Sequence, residues 1–308
     1  MGPWRIPRAE YAAPITRGDS MNQFTQIYNS QDYKQGNPKY FPYLVDIELT
    51  NHCNLRCIFC GQREMTRPKG YMDEKIFRAI IDECAAYNTP VRLIRWGEPF
   101  MHPLILEYIR YAKGRGLPVH VTTNGLAFRG ERHIMETIDT GLDSIIFSFQ
   151  GATAEGYKKM RGGDYASLCS NIMWMAALKD DTPHIHISST MTDETEEQIQ
   201  VFINHWSEIV DSVGVGKTNL ALTGMADTIE KEYRPCLEVY RKLSVDWDGR
   251  VTCCCGDYDC FMQVGDISET LHAVWHGDRL REFRSLLGRD MHRSLTLCRN
   301  CYHTYEEF

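Results

Sequence analysis

The chain has 308 residues, 43% of them hydrophobic and 24% charged, and a formal net charge of −7. This length buries a large domain with a small one beside it, and the acidic balance disfavours a broad nucleic-acid footprint. The sequence has no run of about 18 apolar residues to span a membrane, and residues 1–20 lack a charged-then-apolar leader, so a cytoplasmic location is expected.

Residues 1–43 mix Pro, Gly, Gln, Asn and Tyr without periodicity and read as an irregular N-terminal arm packed on the main domain. From Leu44 onward strands and helices alternate. The first strand is expected at Leu44 to Leu49. A helix should start at Asp73, a good N-cap, with Ile76, Phe77, Ile80, Ile81 and Cys84 on one face. Strands follow at 91–96, 119–123, 143–149 and 184–190. Helices are expected over 104–113, 131–140, 153–177 (broken near Gly162 and Gly163) and 194–210. A sixth strand is placed at 218–222. Six strands alternating with helices imply a parallel sheet.

Strand alternation separates two faces. In the fifth strand Ile185 and Ile187 oppose His184, His186, Ser188 and Thr190. In the fourth, Ile145, Phe147 and Phe149 oppose Ser148 and Gln150. Helices should cover the apolar faces. A lumen is then expected to hold Glu48, His120, Ser148, Gln150, His186 and Ser188, which suits a hydroxyl- or amine-rich substrate.

Twelve cysteines in a long chain without a leader point to metal-bound thiolates rather than disulfides. Cys84 and Cys169 fall within expected helices and read as core thiols. The rest fall largely into two groups. Directly after the first strand come Cys53, Cys57 and Cys60, at a C-x3-C-x2-C spacing. Iron-sulfur clusters take cysteine ligands. Three from one loop leave one iron of a four-iron cubane open. A structural zinc site would need a fourth ligand, and no Cys or His follows within a few residues of Cys60.

This loop resembles the cluster loop of radical S-adenosylmethionine (SAM) enzymes. The resemblance implies a [4Fe-4S] cluster whose open iron chelates SAM, and a 5′-deoxyadenosyl radical made from it. It implies a partial (β/α)6 TIM-like barrel over residues 44–224, with chemistry at the C-terminal strand ends. Phe59 matches the aromatic residue near the adenine. Trp96-Gly97-Glu98-Pro99 resembles the family's Gly-Gly-Glu-Pro segment, with Trp96 in place of the first glycine, and implies that Gly97 and Glu98 meet the SAM amino group. Asn124, in Thr122-Thr123-Asn124-Gly125, falls in a common family turn. Ser148 and Gln150 follow the fourth strand, where the family often has an acidic residue at the position of Gln150. Arg161 matches an arginine that holds the SAM carboxylate.

The second group comprises Cys236, Cys253-Cys254-Cys255, Cys260, Cys298 and Cys301. A hairpin is expected around Val245 to Val251, turning at Asp248-Gly249, then a helix over 270–287. Residues 225–308 resemble the twitch module, a shortened SPASM extension. It implies a small Cys-rich α+β unit with one auxiliary [4Fe-4S] cluster on Cys236, Cys254, Cys298 and Cys301. A zinc knot on the same four is the competing reading.

The resemblance implies hydrogen-atom abstraction from a C–H bond of a polar small molecule, such as an aminosugar or aminocyclitol. The outcome would be alcohol dehydrogenation or epimerisation, with Cys253, Cys255 and Cys260 as candidate hydrogen-atom donors in the second case. Glu48 and His186 are the candidate substrate-side groups. Peptide modification is the alternative. A reductant such as flavodoxin or ferredoxin is the implied partner, with no nucleic-acid or membrane partner expected.

Overall fold

The computed structural model describes residues 23–217 and 236–301. Among the described residues nine strands form one sheet, six of them parallel in sequence order and three C-terminal ones added beyond the first. Strands β1 (Leu44–Ile47), β2 (Val91–Leu93), β3 (Val119–Thr123), β4 (Ser144–Gln150), β5 (His184–Met191) and β6 (Ser212–Lys217) pair in parallel in sequence order. The connecting helices are α3 (Glu74–Ala86), α4 (Ile105–Gly114), α5 (Glu131–Ile138), α6 (Ala154–Arg161), α7 (Tyr165–Leu178) and α8 (Glu196–Ser207). With alternation this regular, each strand turns one face to the helices and the other to the lumen.

Local chemistry sets the helix ends. The Asp73 carboxylate accepts the Lys75 N–H and opens α3, whose Phe77, Ile80, Ile81 and Cys84 are buried against the sheet. Thr195 and Gln198 form a reciprocal capping box on α8, which satisfies two amide groups left open at a helix start. Gly162 takes the left-handed conformation that ends α6, and Asp164 caps α7. The core lies between sheet and helices: Ile185, Ile187, Phe147 and Phe149 are fully buried. Phe149 meets Phe202 and Trp206 of α8 with ring centroids 5.1 and 5.6 Å away.

Several expectations are corrected. The sixth strand is Ser212–Lys217; the residues 218–222 expected for it lie outside the described residues. The second strand ends at Leu93 rather than Trp96, because Arg95 adopts a positive φ of 144°. The expected helix over 270–287 is two, α9 (Leu271–Trp275) and α10 (Asp278–Gly288), interrupted at His276 and Gly277. The N-terminal arm contains helices α1 (Gln23–Asn29) and α2 (Gln31–Gln35). Phe24 of α1 packs on His120, centroids 5.5 Å apart, and the Tyr28 hydroxyl accepts from Arg92 at 2.7 Å. Both partners lie on the lumenal face near the start of their strands, so α1 covers the lower end of the lumen.

The C-terminal part continues the same sheet. Strand β7 (Lys242–Val245) pairs in parallel with β1, in register from Leu44↔Lys242 to Ile47↔Val245. Strands β8 (Arg250–Thr252) and β9 (Gln263–Asp266) add antiparallel to it. The hairpin turns at Gly249, φ +88°, a conformation glycine adopts without strain.

Candidate active site

The loop after β1 is tied down mainly by backbone and amide bonds. Asn51 donates to the Pro68 carbonyl at 2.9 Å and accepts the Gly70 N–H at 2.9 Å, closing the loop that carries the three cysteines. Gln62 donates to the carbonyls of Asn51 and Trp96. The Ile58 N–H donates to the Met160 carbonyl at 2.9 Å, docking the loop on α6.

Each of the three thiols faces an N–H donor. Cys53 Sγ accepts from the Leu55 amide at 3.5 Å and lies 3.7 Å from Asn124 Nδ2. Cys60 Sγ accepts from the Gln62 amide at 3.5 Å. Arg161 Nη1 lies 3.8 Å from Cys57 Sγ. Such donors stabilise sulfur that carries negative charge. Burial works in the other direction: it pushes the Cys53 thiol up to about 11 and raises Cys57 and Cys60 as well. Binding of a thiophilic group therefore displaces protons from this loop.

The flanking residues converge here too. Gly97 crosses directly over the loop: a Cβ there would sit 1.9 Å from the Thr50 carbonyl oxygen and 2.8 Å from that of His52. Next to it, the Glu98 N–H donates to the His52 carbonyl at 2.8 Å. The Glu98 carboxylate accepts from Thr123 Oγ1 and the Asn124 N–H, each at 2.7 Å, and from the Phe100 N–H at 3.1 Å. Burial nonetheless raises its carboxyl to about 7. Asn124 Nδ2 also donates to Asn54 Oδ1 at 2.8 Å. The Arg161 guanidinium stands over the Phe59 ring, 5.2 Å from its centroid, and donates to the Phe149 carbonyl at 3.0 Å. Cys53, Cys57, Cys60, Phe59, Gly97, Glu98, Asn124 and Arg161 thus form one connected site.

The lumen wall is sorted by its hydrogen bonds. Ser148 and Ser188 are register partners on β4 and β5 and half-buried. The positions opposite Ser188 and Thr190 on β6 are Gly214 and Gly216, and Gly216, which is exposed, has no atom of the described residues within 4 Å of where a Cβ would lie. His186 Nδ1 bonds Ser212 Oγ at 2.8 Å, and burial lowers the imidazole to about 4, so it is neutral at pH 7. His120 sits deeper, bonded to Ser144 and Thr122.

Two expected lumenal groups are engaged elsewhere. Gln150 is fully buried; its side chain bonds the Thr190 carbonyl and hydroxyl. Glu48 does not face substrate with a free carboxylate: Arg67 takes both oxygens at 2.6 Å, and both side chains are nearly inaccessible.

In the second cysteine group, Cys254 stands within electrostatic reach of Cys236, Cys253, Cys255 and Cys301, and Cys298 within reach of Cys253 and Cys301. Cys255 is the strongest thiol neighbour of Cys236. Cys260 stands apart, beside Asp246 and Asp257. Among the described residues, in this group and in the Cys53–Cys60 loop alike, no three Cys, His, Asp or Glu groups converge on one point as ligands of a single ion do.

Sequence reasoning missed the bonds that join the two groups. Arg67 Nε donates to the Tyr258 carbonyl, Asp259 accepts from the Thr66 and Arg67 amides, and Trp96 Nε1 donates to the Asp257 carbonyl. No local spacing signals them, since the partners lie more than 150 residues apart in the chain.

A three-thiol loop at the mouth of a parallel barrel, with a second thiol group on the same sheet, defines an iron-sulfur barrel protein. Residues 47–205 match the Radical SAM superfamily, and residues 236–302 match the iron-sulfur cluster-binding domain called SPASM. The chain belongs to the radical SAM superfamily. Membership implies a 4Fe-4S cluster with SAM, and the second domain implies auxiliary iron-sulfur clusters. The donor set fits: thiols with N–H donors at hand, and a glycine where the loop backbone leaves no room for a Cβ.

The AdoMet-dependent heme synthase of Methanosarcina barkeri is 34% identical over 123 residues, 39% of this chain and 35% of that protein. The chain matches between about a third and a half of the length of this and the next curated relatives. BtrN, in complex with AdoMet and 2-DOIA, superposes with a TM-score of 0.60 at 17% identity, covering 88% of this chain and 98% of BtrN. Streptococcus suis SuiB bound to S-adenosylmethionine gives 0.64 at 14% identity, covering 83% and 70%; SuiB also has a structure bound to its precursor peptide SuiA. These likenesses establish the fold. Among the described residues no helix is long and apolar enough to cross a membrane.

Proposed function

We propose that this radical SAM enzyme removes a hydrogen atom from a C–H bond of a hydroxyl-rich small molecule, such as an aminocyclitol or aminosugar. Dehydrogenation of an alcohol and epimerisation are the two outcomes considered. The observation that carries the reading is the lumen wall: Ser148 beside Ser188 and neutral His186, with glycines at Gly214 and Gly216 on the neighbouring strand and the nearby Glu48 charge withdrawn into an ion pair. Such a wall offers donors and acceptors to hydroxyl groups and little to a lipid. The extent of the likeness to BtrN, nearly the whole of that chain, supports it.

In this reading Cys53, Cys57 and Cys60 hold the SAM cluster. Cys236, Cys254, Cys298 and Cys301 hold one auxiliary cluster. Residues 44–224 form the barrel and 225–308 the auxiliary domain. When bound, the cluster and SAM supply a carbon radical able to take a hydrogen atom. The chain's own work is placement. Gly97 lets the backbone close over the cysteine loop, Asn124 and Glu98 brace the Cys53 side, and Arg161 offers a cation between Phe59 and Cys57. Cys253, Cys255 and Cys260 remain the candidate hydrogen-atom donors if the outcome is epimerisation. Cys253 and Cys260 are both buried and Cys255 is half-buried, which favours Cys255. A reductant such as flavodoxin or ferredoxin is the proposed partner, and the cytoplasm the proposed location.

Peptide modification is the second reading, supported by the likeness to SuiB and by relatives such as the PqqA peptide cyclase of Gluconobacter oxydans. Anaerobic reconstitution with iron, sulfide, SAM and dithionite tests the class: 5′-deoxyadenosine is expected from the wild type and none from Cys57→Ala. Incubation with an aminocyclitol panel and a peptide panel separates the readings. Ketone formed in step with 5′-deoxyadenosine marks dehydrogenation, and solvent deuterium at carbon marks epimerisation. A modified peptide with no turnover of any cyclitol overturns the first reading.

A further inference from the structure

Arg95 lies two residues past the end of β2 and just before the Trp96-Gly97-Glu98 segment. Its φ of +144° is a region that side-chain-bearing residues seldom occupy, and such strain persists only where surrounding contacts over-determine it. Those contacts all belong to the C-terminal domain. Nη1 donates to the Cys254 carbonyl at 3.1 Å, and Nη2 donates to the Asp257 carbonyl at 2.8 Å and to Asp246 Oδ1 at 3.0 Å. The side chain is 2% exposed and that of Asp246 is fully buried. Neutralisation between them is incomplete: Arg95 Nε is buried without a hydrogen-bond partner, and Asp246 is shared with Arg67, 3.9 Å away, and with the Cys260 thiol. A desolvated cation thus stands one hydrogen bond from the cysteine turn, and a buried anion stands behind it.

We propose that Arg95 is a positioning residue that locks the Cys253–Cys255 turn to the SAM-site end of β2, and that its charge, opposed by Asp246, sets the reduction potential of the cluster held at that turn. The inference rests on the assignment of an auxiliary cluster to this cysteine group. A nearby cation favours the reduced, more negative cluster; a nearby anion disfavours it. Trp96, which bonds the Asp257 carbonyl at 2.9 Å, shares the mechanical part of the task without the charge.

The test uses the full-length chain carrying Cys53→Ala, Cys57→Ala and Cys60→Ala, reconstituted with iron and sulfide, so that only the auxiliary site is loaded. Its midpoint potential is followed by electron paramagnetic resonance. Arg95→Gln is expected to make reduction at least tenfold less favourable, a fall of about 59 mV for one electron. Arg95→Lys, which keeps the charge, should stay near the parent value. Asp246→Asn, nearly isosteric and still able to accept from Arg95, should move the potential the opposite way. Equal potentials in all four proteins overturn the proposal, as does a shift of one sign for both Arg95→Gln and Asp246→Asn. If Arg95→Gln fails to fold, the sign of the Asp246→Asn shift decides. Absence of any iron-sulfur absorption in the parent triple variant instead overturns the cysteine assignment, and this inference with it.

Discussion

Replacing Arg67 with Met would separate a structural carboxylate from a substrate-binding one. Glu48 is 1% exposed and both its oxygens are held by Arg67 at 2.6 Å. Its other hydrogen-bond donor among the described residues is the Trp247 N–H at 3.4 Å, too long to compensate a buried charge, and the Arg95 guanidinium, within electrostatic reach, is already bonded to Asp246. Removing one partner of a buried ion pair costs about 3–5 kcal/mol, because the remaining ion has lost both water and counter-charge. In a chain of this size that is a fall in melting temperature of roughly 10 °C. The double variant Glu48→Gln/Arg67→Met removes both charges and should recover most of the loss. Urea denaturation of the metal-free proteins under argon reads both numbers. A loss below about 1 kcal/mol for Arg67→Met, or no recovery in the double variant, would show that Glu48 is solvated and free, and the ion-pair reasoning would be wrong.

Gly97→Ala places a methyl group 1.9 Å from the Thr50 carbonyl oxygen; SAM affinity measured by calorimetry on the reconstituted protein should drop at least about tenfold. Acid stability should reflect the lumenal imidazoles. Burial holds His186 at about 4 and His120 at about 3, below the unfolded value of about 6.5. The folded state then binds fewer protons, so this stability is present above pH 6.5 and lost as pH falls through the folded values. The urea midpoint should decline between about pH 6.5 and 4, and less steeply in His186→Gln. Glu98 acts in the opposite sense. Its carboxyl is raised to about 7, so its contribution is present at low pH and lost as pH rises from about 4.5 through 7. Glu98→Gln should flatten that limb in the metal-free protein. Ser188→Val removes a hydroxyl from the lumen wall beside Ser148; 5′-deoxyadenosine formation should persist while substrate conversion falls, as seen by parallel chromatography of both products.

The barrel was legible because its signals are short-range. Ile185 and Ile187 alternate with His186 and Ser188 in the sequence as they do across β5, and Asp73 announces α3 by its own carboxylate. The cysteine loop was legible for the same reason: its three thiols lie within eight residues. Strand β6 was misplaced because Gly214 and Gly216 take two of its positions, and glycine weakens strand patterning. Parity alone turns Glu48 toward the lumen and says nothing of the counter-ion supplied by Arg67 from the following loop. The sequence likewise holds no cue that Arg95 spends its donors on Cys254 and Asp257, since that meeting exists only once the sheet has formed.

The pairing of β1 with β7 joins residues about 200 positions apart. During synthesis the first barrel strand must wait, with one edge bare, until the chain has grown past Val245. Loop closure over that distance is slow to be rewarded, and a bare strand edge invites intermolecular pairing. Cutting the chain between barrel and auxiliary domain would therefore leave an unsealed edge at β1 rather than an independent barrel.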